Sequence, residues 1–163
     1  MILCCYAKLW PSTEASLRGL DLRYIDVSGS PAAYWETLAR FWTTPEPLIN
    51  IEHDVVIGPE TVPSLLECGQ PWCAFAYAGT SWESNTGLGC GKFSAEAREM
   101  ITPEVVERAP YFCYLHPQQT ERCMCWVHVD ASIFNAFRGN RCKVSHARHR
   151  AAPDAGVSPQ LTC

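Results

Sequence analysis

Apolar runs alternate along this chain with stretches whose apolar residues recur at helical spacing. Residues 1–8, 20–27, 48–51 and 72–77 are four runs that predict strands. The first run is continuously apolar, which is typical of a strand buried on both faces. Residues 30–42 carry aromatic and leucine side chains along one stripe, which predicts a core-facing helix. Because strands and helices take turns, we expect an α/β fold with a mostly parallel sheet flanked by helices.

The second half of the chain predicts shorter elements. Residues 86–93 are rich in glycine and predict a turn between two strands. Helices are predicted at residues 62–67, 95–100 and 103–108, and a last helix is expected to open at Asp130 and end at Gly139. An aspartate at that position is a favourable N-cap.

Length and composition indicate one domain. The 163 residues are 47% hydrophobic, which is enough to fill a single core, and no apolar run reaches the roughly 18 residues of a membrane span. We expect a domain over residues 1–150 and a flexible tail over residues 151–163, where Ala, Pro, Gly, Ser and Gln dominate. The net charge of −4 disfavours binding of nucleic acid through bulk positive charge but leaves room for a local anion site.

Ten cysteines allow either a disulfide framework or reduced thiols. The first residues lack the basic stretch and the small-residue cleavage site of a signal peptide, so we expect a cytoplasmic protein with reduced cysteines. Reduced cysteine behaves as a small hydrophobe, and most of the ten are expected to fill the core. No pair of Cys-x-x-Cys motifs appears, so a structural zinc site is not expected.

The candidate chemistry follows the predicted strands, because ligands of parallel sheets bind beyond the carboxyl ends of the strands. Glu52-His53-Asp54 follows the third run, and its two carboxylates can share one Mg²⁺ or Mn²⁺ ion. An ordinary polar strand end, with Asp54 capping a turn, is the alternative. Asp130 combines its expected capping role with that of a general base, if it faces the same cleft.

Two other groups are weaker candidates. His146 and His149 can share a face only if their segment is helical, and solvated surface histidines are the alternative. Residues 87–91 are glycine-rich, but they match neither the dinucleotide-binding nor the Walker pattern.

The order of these features resembles the GT-A class of glycosyltransferases in miniature form. The resemblance rests on the segment Ile49-Asn50-Ile51-Glu52-His53-Asp54-Val55, on the acidic residue in Trp126-Val127-His128-Val129-Asp130 and on a late histidine. Small phage-encoded members of that class, associated with hypermodified DNA bases, are similar in overall organisation. The resemblance implies a single-domain GT-A-like, Rossmann-like fold and a metal-dependent transfer of a sugar from a nucleotide sugar to an acceptor hydroxyl.

The resemblance also implies roles for individual residues. Glu52 and Asp54 would hold Mn²⁺ or Mg²⁺ at the donor diphosphate, with His53 between them and His146 completing the metal shell; His149 stays open as the alternative. Asp130 would deprotonate the acceptor. The remaining residues would contact the donor, a UDP-sugar being the leading candidate: Tyr6 and Asp26 at its base, Lys8 near its diphosphate, and Leu88 and Gly89 near its sugar or the acceptor.

Other functions remain open at this point. The same carboxylates would serve a nucleotidyltransferase or another phosphoryl-transfer enzyme, which would release pyrophosphate or phosphate instead of a nucleoside diphosphate. A non-catalytic binding protein would use the acids as caps and surface groups. The expected partners are a nucleotide sugar and an acceptor hydroxyl, for which a hydroxymethylated base in DNA is one candidate. No membrane is expected as a partner, and a homo-oligomer remains open. A phage-encoded chain would act in the host cytoplasm.

Overall fold

The computed structural model describes residues 1–75, 88–109, 124, 126–139 and 144–147; for residues 126, 127, 138, 139 and 144–147 it describes the backbone alone. The predicted α/β class is confirmed. The strands are β1 (Ile2–Tyr6), β2 (Arg23–Asp26), β3 (Leu48–Glu52), β4 (Trp72–Phe75), β5 (Cys90–Phe93) and β6 (Val144–Ala147). The helices are α1 (Pro11–Ser16), α2 (Ala33–Trp42), α3 (Thr61–Glu67), α4 (Ala95–Met100), α5 (Pro103–Arg108) and α6 (Trp126–Gly139).

The strands within the described residues form one open, mixed sheet in the order β2-β1-β3-β5-β4-β6. β1 is parallel to β2 and β3, and β4 is parallel to β6, whereas β5 is antiparallel to both of its neighbours. The carboxyl ends of β1, β2 and β3 therefore meet at one edge of the sheet.

Helices cover both faces of this sheet. Leu38 of α2, Val106 of α5 and Phe137 of α6 belong to the core on one face. Leu65 of α3 and Leu17, directly after α1, belong to the core on the other face. Burial on both faces explains why β1 reads as a continuous apolar run rather than an alternating one.

Aromatic packing and one buried arginine fix α2 against this sheet. The Trp72 ring packs 5.4 Å from Phe93 and 5.2 Å from Phe137, measured between centroids, and Trp42 lies 5.0 Å from Phe93. The buried Arg98 guanidinium donates to the carbonyl oxygens of Phe41, Trp42 and Glu46. These carbonyls lie at and beyond the end of α2, where a helix has no acceptor partners of its own. Arg98 therefore caps α2 from a neighbouring helix.

Several sequence predictions are wrong in detail. Pro11 and Ser12, whose residue types predict a turn after the first strand, instead begin helix α1, since proline is well tolerated in the first turn of a helix. The glycine-rich stretch contains strand β5, because its residues pair with β3 and β4 on both sides. Helix α6 begins at Trp126, so Asp130 lies in its second turn and is not its N-cap.

The cysteines differ in part from the expectation of reduced, core-filling thiols. Cys68 and Cys73 form a disulfide that links the end of α3 to β4. Cys4, Cys5 and Cys90 are free and buried, as expected for thiols that fill the core. The expected tail at residues 151–163 lies outside the described residues. Among the helices that are described, none is both long and apolar enough to cross a membrane.

Candidate carboxylate site

The ends of three adjacent strands bring the predicted donor residues to one edge. Tyr6 of β1 pairs in register with Asp26 of β2, and Cys5 of β1 pairs with Glu52 of β3. Asp26 is exposed, and hydrogen bonds from the Ser28 side chain and backbone lower the pKa of its carboxyl. Lys8 is exposed two residues after β1. The structure thus places Tyr6, Asp26 and Glu52 along one edge, as the parallel strands predicted.

Glu52 stands at the centre of this edge and is held by a tyrosine. The hydroxyl of Tyr34, in the first turn of α2, donates to Glu52 Oε1 at 2.8 Å. Burial raises the pKa of Glu52 well above its ordinary value, and the nearby Asp130 and Asp54 carboxylates raise it further. The Tyr34 hydrogen bond opposes this rise because it favours the ionised form. The charge state of Glu52 therefore depends on its neighbours: the Asp130 and Asp54 carboxylates favour the neutral form, and the Tyr34 hydroxyl favours the ionised form.

Asp130 reaches the same place from α6. Burial raises the pKa of Asp130 to about 7, while a hydrogen bond from the backbone N–H of Leu88 opposes the rise. Its Oδ1 atom is buried and has no hydrogen-bond partner among the described residues. A carboxyl group with a pKa near neutrality, and with one oxygen unengaged, suits proton transfer at physiological pH. We call Glu52, Asp54 and Asp130 the carboxylate site.

The segment Leu88–Gly89, which leads into β5, joins the two halves of the carboxylate site. The carbonyl of Gly89 accepts from the Glu52 N–H at 2.8 Å, and the carbonyl of Leu88 accepts from Asn50 Nδ2 at 2.8 Å. The Leu88 N–H donates to Asp130. The glycine-rich stretch thus acts here through backbone groups, and Leu88 itself is buried.

His53 and Asp54 form the turn that follows β3, and both are partly buried. The turn is closed by the Val55 N–H, which donates to the Glu52 carbonyl at 3.2 Å. The His53 carbonyl accepts from the Trp10 N–H at 3.2 Å, which ties the turn to the start of α1. Asp54 is therefore presented from an anchored turn beside Glu52.

His146 is not brought beside Glu52 and Asp54, although β6 ends on the same edge of the sheet. It lies in β6, in register with Ala74 of β4, and β6 is separated from β3 by β5 and β4. Three strand spacings place its backbone about 14 Å from β3 in the plane of the sheet. His146 and His149 were expected to share a face only if their segment is helical, but His146 lies in a strand. His149 lies outside the described residues.

Two residues of the site were not predicted as functional. Tyr34 was assigned to the core because it lies on the apolar stripe of α2, and only its hydroxyl belongs to the site. Asn50 is fully buried, and the sequence did contain a signal for it, since it interrupts the apolar run of β3. A polar residue inside a run that is buried on both faces requires a hydrogen-bond partner.

The free cysteines near this edge are not available as nucleophiles. Burial raises the pKa of Cys4 to about 11 and that of Cys5 and Cys90 to about 12, and the Glu52 charge adds to each. These three therefore stay protonated and are not thiolate nucleophiles near neutral pH. The reactive groups available at this edge are carboxyl groups, which act as proton acceptors or as ligands of a hard cation.

The carboxylate site would supply some of the ligands of a divalent cation. Glu52 and Asp54 supply carboxylate oxygens, the donors that Mg²⁺ and Mn²⁺ prefer, and Glu52 Oε1 is engaged by Tyr34. In the part of the chain that the structure describes, no group of three or more His, Cys, Asp and Glu side chains is arranged to hold a metal ion. The two carboxylates fit a site whose other ligands are water and substrate phosphates, which Mg²⁺ commonly retains.

Comparison of the chain with protein-family models, with curated proteins and with solved structures gives no match. The functional argument therefore rests on the chemistry of the carboxylate site.

Proposed function

We propose that the chain is a metal-dependent glycosyltransferase, which moves a sugar from a nucleoside-diphosphate sugar to an acceptor hydroxyl. One observation carries the proposal: three carboxylates from two separate elements, β3 with its following turn and α6, converge where the parallel strands end. Burying like charges together costs stability, and such clusters concentrate at functional sites. The α/β sheet flanked by helices agrees with the GT-A-like fold that accompanies this proposal.

Asp130 is the proposed general base. Its pKa of about 7 leaves a substantial ionised fraction at neutral pH, which is the condition for accepting a proton from a hydroxyl. The Leu88 N–H orients the carboxylate, and the unengaged Oδ1 is the oxygen that we assign to the acceptor. Proton transfer of this kind contributes about 10²–10⁴ to a rate.

Glu52 and Asp54 are the residues that would hold the cation, together with the diphosphate of the donor and water. A bound cation stabilises the negative charge that develops on a departing diphosphate. The protein's own contribution is to present the two carboxylates from a strand end and an anchored turn, so that their directions are set before the ligand arrives.

The nucleotide is proposed to lie across the ends of β1 and β2. Tyr6 and Asp26 are adjacent there, and Lys8 supplies a nearby positive charge for phosphate. The donor sugar is proposed to lie near His53, Leu88 and Gly89, with Leu88 acting through its backbone because its side chain is buried. The proposal names only a hydroxyl as acceptor. The basic residues at positions 138, 141, 143, 148 and 150, which are the candidates for phosphate contacts with a DNA acceptor, lie outside the described side chains.

Thermal melting with a panel of nucleoside diphosphates and nucleotide sugars, each with and without Mn²⁺ or Mg²⁺, tests the proposal. A ligand at 100 times its dissociation constant adds about 2.7 kcal/mol, which raises the Tm by roughly 5–10 °C for a chain of this size. We expect a shift that requires both the metal and one class of nucleotide.

Asp54→Asn tests the metal assignment within that assay. The variant should keep the Tm of the unliganded protein and lose the metal-dependent shift, because the amide carries no charge to attract the cation. Asp21→Asn is the matched control, since Asp21 is exposed at the amino end of β2 and should behave as wild type. A panel with no shift in the wild type refutes the glycosyltransferase, and release of pyrophosphate instead of nucleoside diphosphate would assign nucleotidyl transfer.

A further inference from the structure

A buried hydrogen-bonded chain connects the two halves of the carboxylate site through groups that the proposed mechanism does not use. Asn50 Nδ2 donates to the carbonyl of Leu88 and to the hydroxyl oxygen of Tyr34, both at 2.8 Å. The Tyr34 hydroxyl donates in turn to Glu52 Oε1 at 2.8 Å. Tyr34 and Asn50 are both fully buried, so water does not compete for these bonds.

A backbone carbonyl fixes the orientation of the Asn50 amide in this chain. The Leu88 carbonyl can only accept, so the amide of Asn50 must turn its NH₂ group, and not its oxygen, toward Leu88. The second hydrogen of that NH₂ group then points to the Tyr34 oxygen. The Tyr34 hydroxyl accepts this bond through its oxygen and donates its own proton to Glu52 Oε1.

The orientation of the Asn50 amide lowers the stability of the fold. Its Oδ1 atom is buried and has no hydrogen-bond partner among the described residues. A buried acceptor without a partner costs about 1–3 kcal/mol. An apolar residue at position 50 would avoid that cost, since Leu48 on the same face of β3 packs into the core. The amide is therefore unfavourable for packing alone, and what it does accomplish is to orient Tyr34.

We infer that Tyr34 is the positioning residue of Glu52: it holds Oε1 from inside the core and thereby directs Oε2 toward the cation, with Asn50 fixing Tyr34 as the donor. This inference rests on the proposed function, because the cation is the group that Glu52 is positioned to meet. The chain ends at Leu88, whose N–H holds Asp130. One buried network therefore sets the directions of both the proposed ligand and the proposed base.

Tyr34→Phe removes the donor and keeps the ring that packs in the core. The matched control is Tyr24→Phe, the same chemical change at an exposed tyrosine on the edge strand β2. The readout is the Mn²⁺ concentration that gives half of the Tm shift caused by the nucleoside diphosphate identified in the panel. We expect Tyr34→Phe to raise that concentration about tenfold, the effect of losing a hydrogen bond to a charged group, and Tyr24→Phe to leave it unchanged. Equal Mn²⁺ dependence in the wild type and Tyr34→Phe overturns the inference.

A second variant keeps the test decisive if Tyr34→Phe does not fold. Asn50→Leu retains Tyr34 but frees its hydroxyl to rotate, so the Mn²⁺ requirement should rise in this variant as well. If both variants fold, their effects on that requirement should be less than additive, because they interrupt the same chain. An unchanged Mn²⁺ requirement in Asn50→Leu overturns the inference.

A measurement without ligand separates the inference from the proposed function. The ¹³C resonance of the Glu52 carboxyl group, assigned by its loss in Glu52→Gln, reports the hydrogen bond directly. It should move in Tyr34→Phe and stay in place in Tyr24→Phe. If the wild type shows no metal-dependent nucleotide binding, the proposed function fails, and this resonance still decides whether Tyr34 holds Glu52. A resonance that does not move in Tyr34→Phe overturns the inference whatever the ligand assay shows.

Discussion

Asp130→Asn should stabilise the protein while removing its proposed base. The substitution keeps the size of the side chain, and the amide oxygen can still accept from the Leu88 N–H. What it removes is a buried carboxyl group that becomes charged as the pH rises. The charge on Asp130 also raises the pKa of Glu52, so the variant relieves repulsion at Glu52 as well.

The sign and size of the effect follow from the pKa. Burial raises the pKa of Asp130 from 3.8 to about 7, so the folded protein binds this proton more tightly than the unfolded chain does. Stability is then highest below pH 4 as far as this group is concerned, and it falls as the pH rises to 7. A change from 3.8 to about 7 corresponds to about 4 kcal/mol. The amide that replaces the carboxyl group is buried too, at a cost of about 1–3 kcal/mol, so we expect the substitution to recover about 2 kcal/mol.

Thermal melting between pH 5 and 8 measures this effect. At pH 8 the variant should melt roughly 4–8 °C above the wild type, and the difference should shrink toward pH 5. Asp21→Asn serves as the control, because Asp21 is exposed and the same change there should give no pH-dependent difference. The metal-dependent Tm shift with nucleotide should persist in Asp130→Asn, since Asp130 is not assigned to the cation.

Two results would refute this reasoning. A variant that melts below the wild type at pH 8 would mean that the Asp130 carboxylate is stabilising, and hence that a positive group faces it. A loss of nucleotide binding in Asp130→Asn would place Asp130 with the donor ligands and move the general base elsewhere.

Three further predictions concern the framework of the site. Arg98→Met should lower stability by about 2–4 kcal/mol in denaturant unfolding, because it leaves the carbonyls at the end of α2 without donors, whereas Arg40→Met on the exposed face should change little. Gly91→Ala should cost about 1–3 kcal/mol, since its new Cβ would lie 3.2 Å from the Cys73 carbonyl oxygen, while Gly29→Ala meets no atom within 4 Å. Reduction of the Cys68–Cys73 disulfide should lower stability by about 2 kcal/mol, the loop-closure value for so short a loop; Cys68→Ser, which removes the same crosslink, should have a similar effect, and a Cys68→Ser variant as stable as the wild type would contradict that origin.

The sequence predicted those parts of the fold whose signals are local. The apolar run of β1 is continuous and that of β3 is interrupted only by Asn50, because helices cover both faces, and the ends of the two runs place Tyr6 and Glu52 correctly. Helices α4 and α5 have the bounds that were predicted. The Ser94 hydroxyl caps α4 by accepting from the Ala97 N–H, whereas the Thr102 hydroxyl donates to Glu104 instead of capping α5.

The failures occurred where distant pairing decides the structure. The short strand β5 contains Gly91 and Lys92, two residue types with low strand propensity, but it is held by hydrogen bonds to a strand on each side. The bond between Cys68 and Cys73 requires a particular geometry between α3 and β4, which a spacing of five residues does not specify. The role of Tyr34 was hidden because an aromatic residue on an apolar stripe belongs to the core by every local rule.

One connected group of polar residues breaks the core pattern at the carboxyl ends of the parallel strands. On the face of β3 toward α2 and α6, Leu48 packs into the core, but Asn50 and Glu52 do not continue the apolar pattern. Asp130 breaks the apolar face of α6 opposite them, between the buried Val129 and Ile133. Polar residues without a common role would be scattered through the core, whereas these residues are joined by hydrogen bonds and by the interaction of their charges. Their cost to stability is concentrated at the strand ends where an α/β sheet binds its ligand, which is why we assign function to this site.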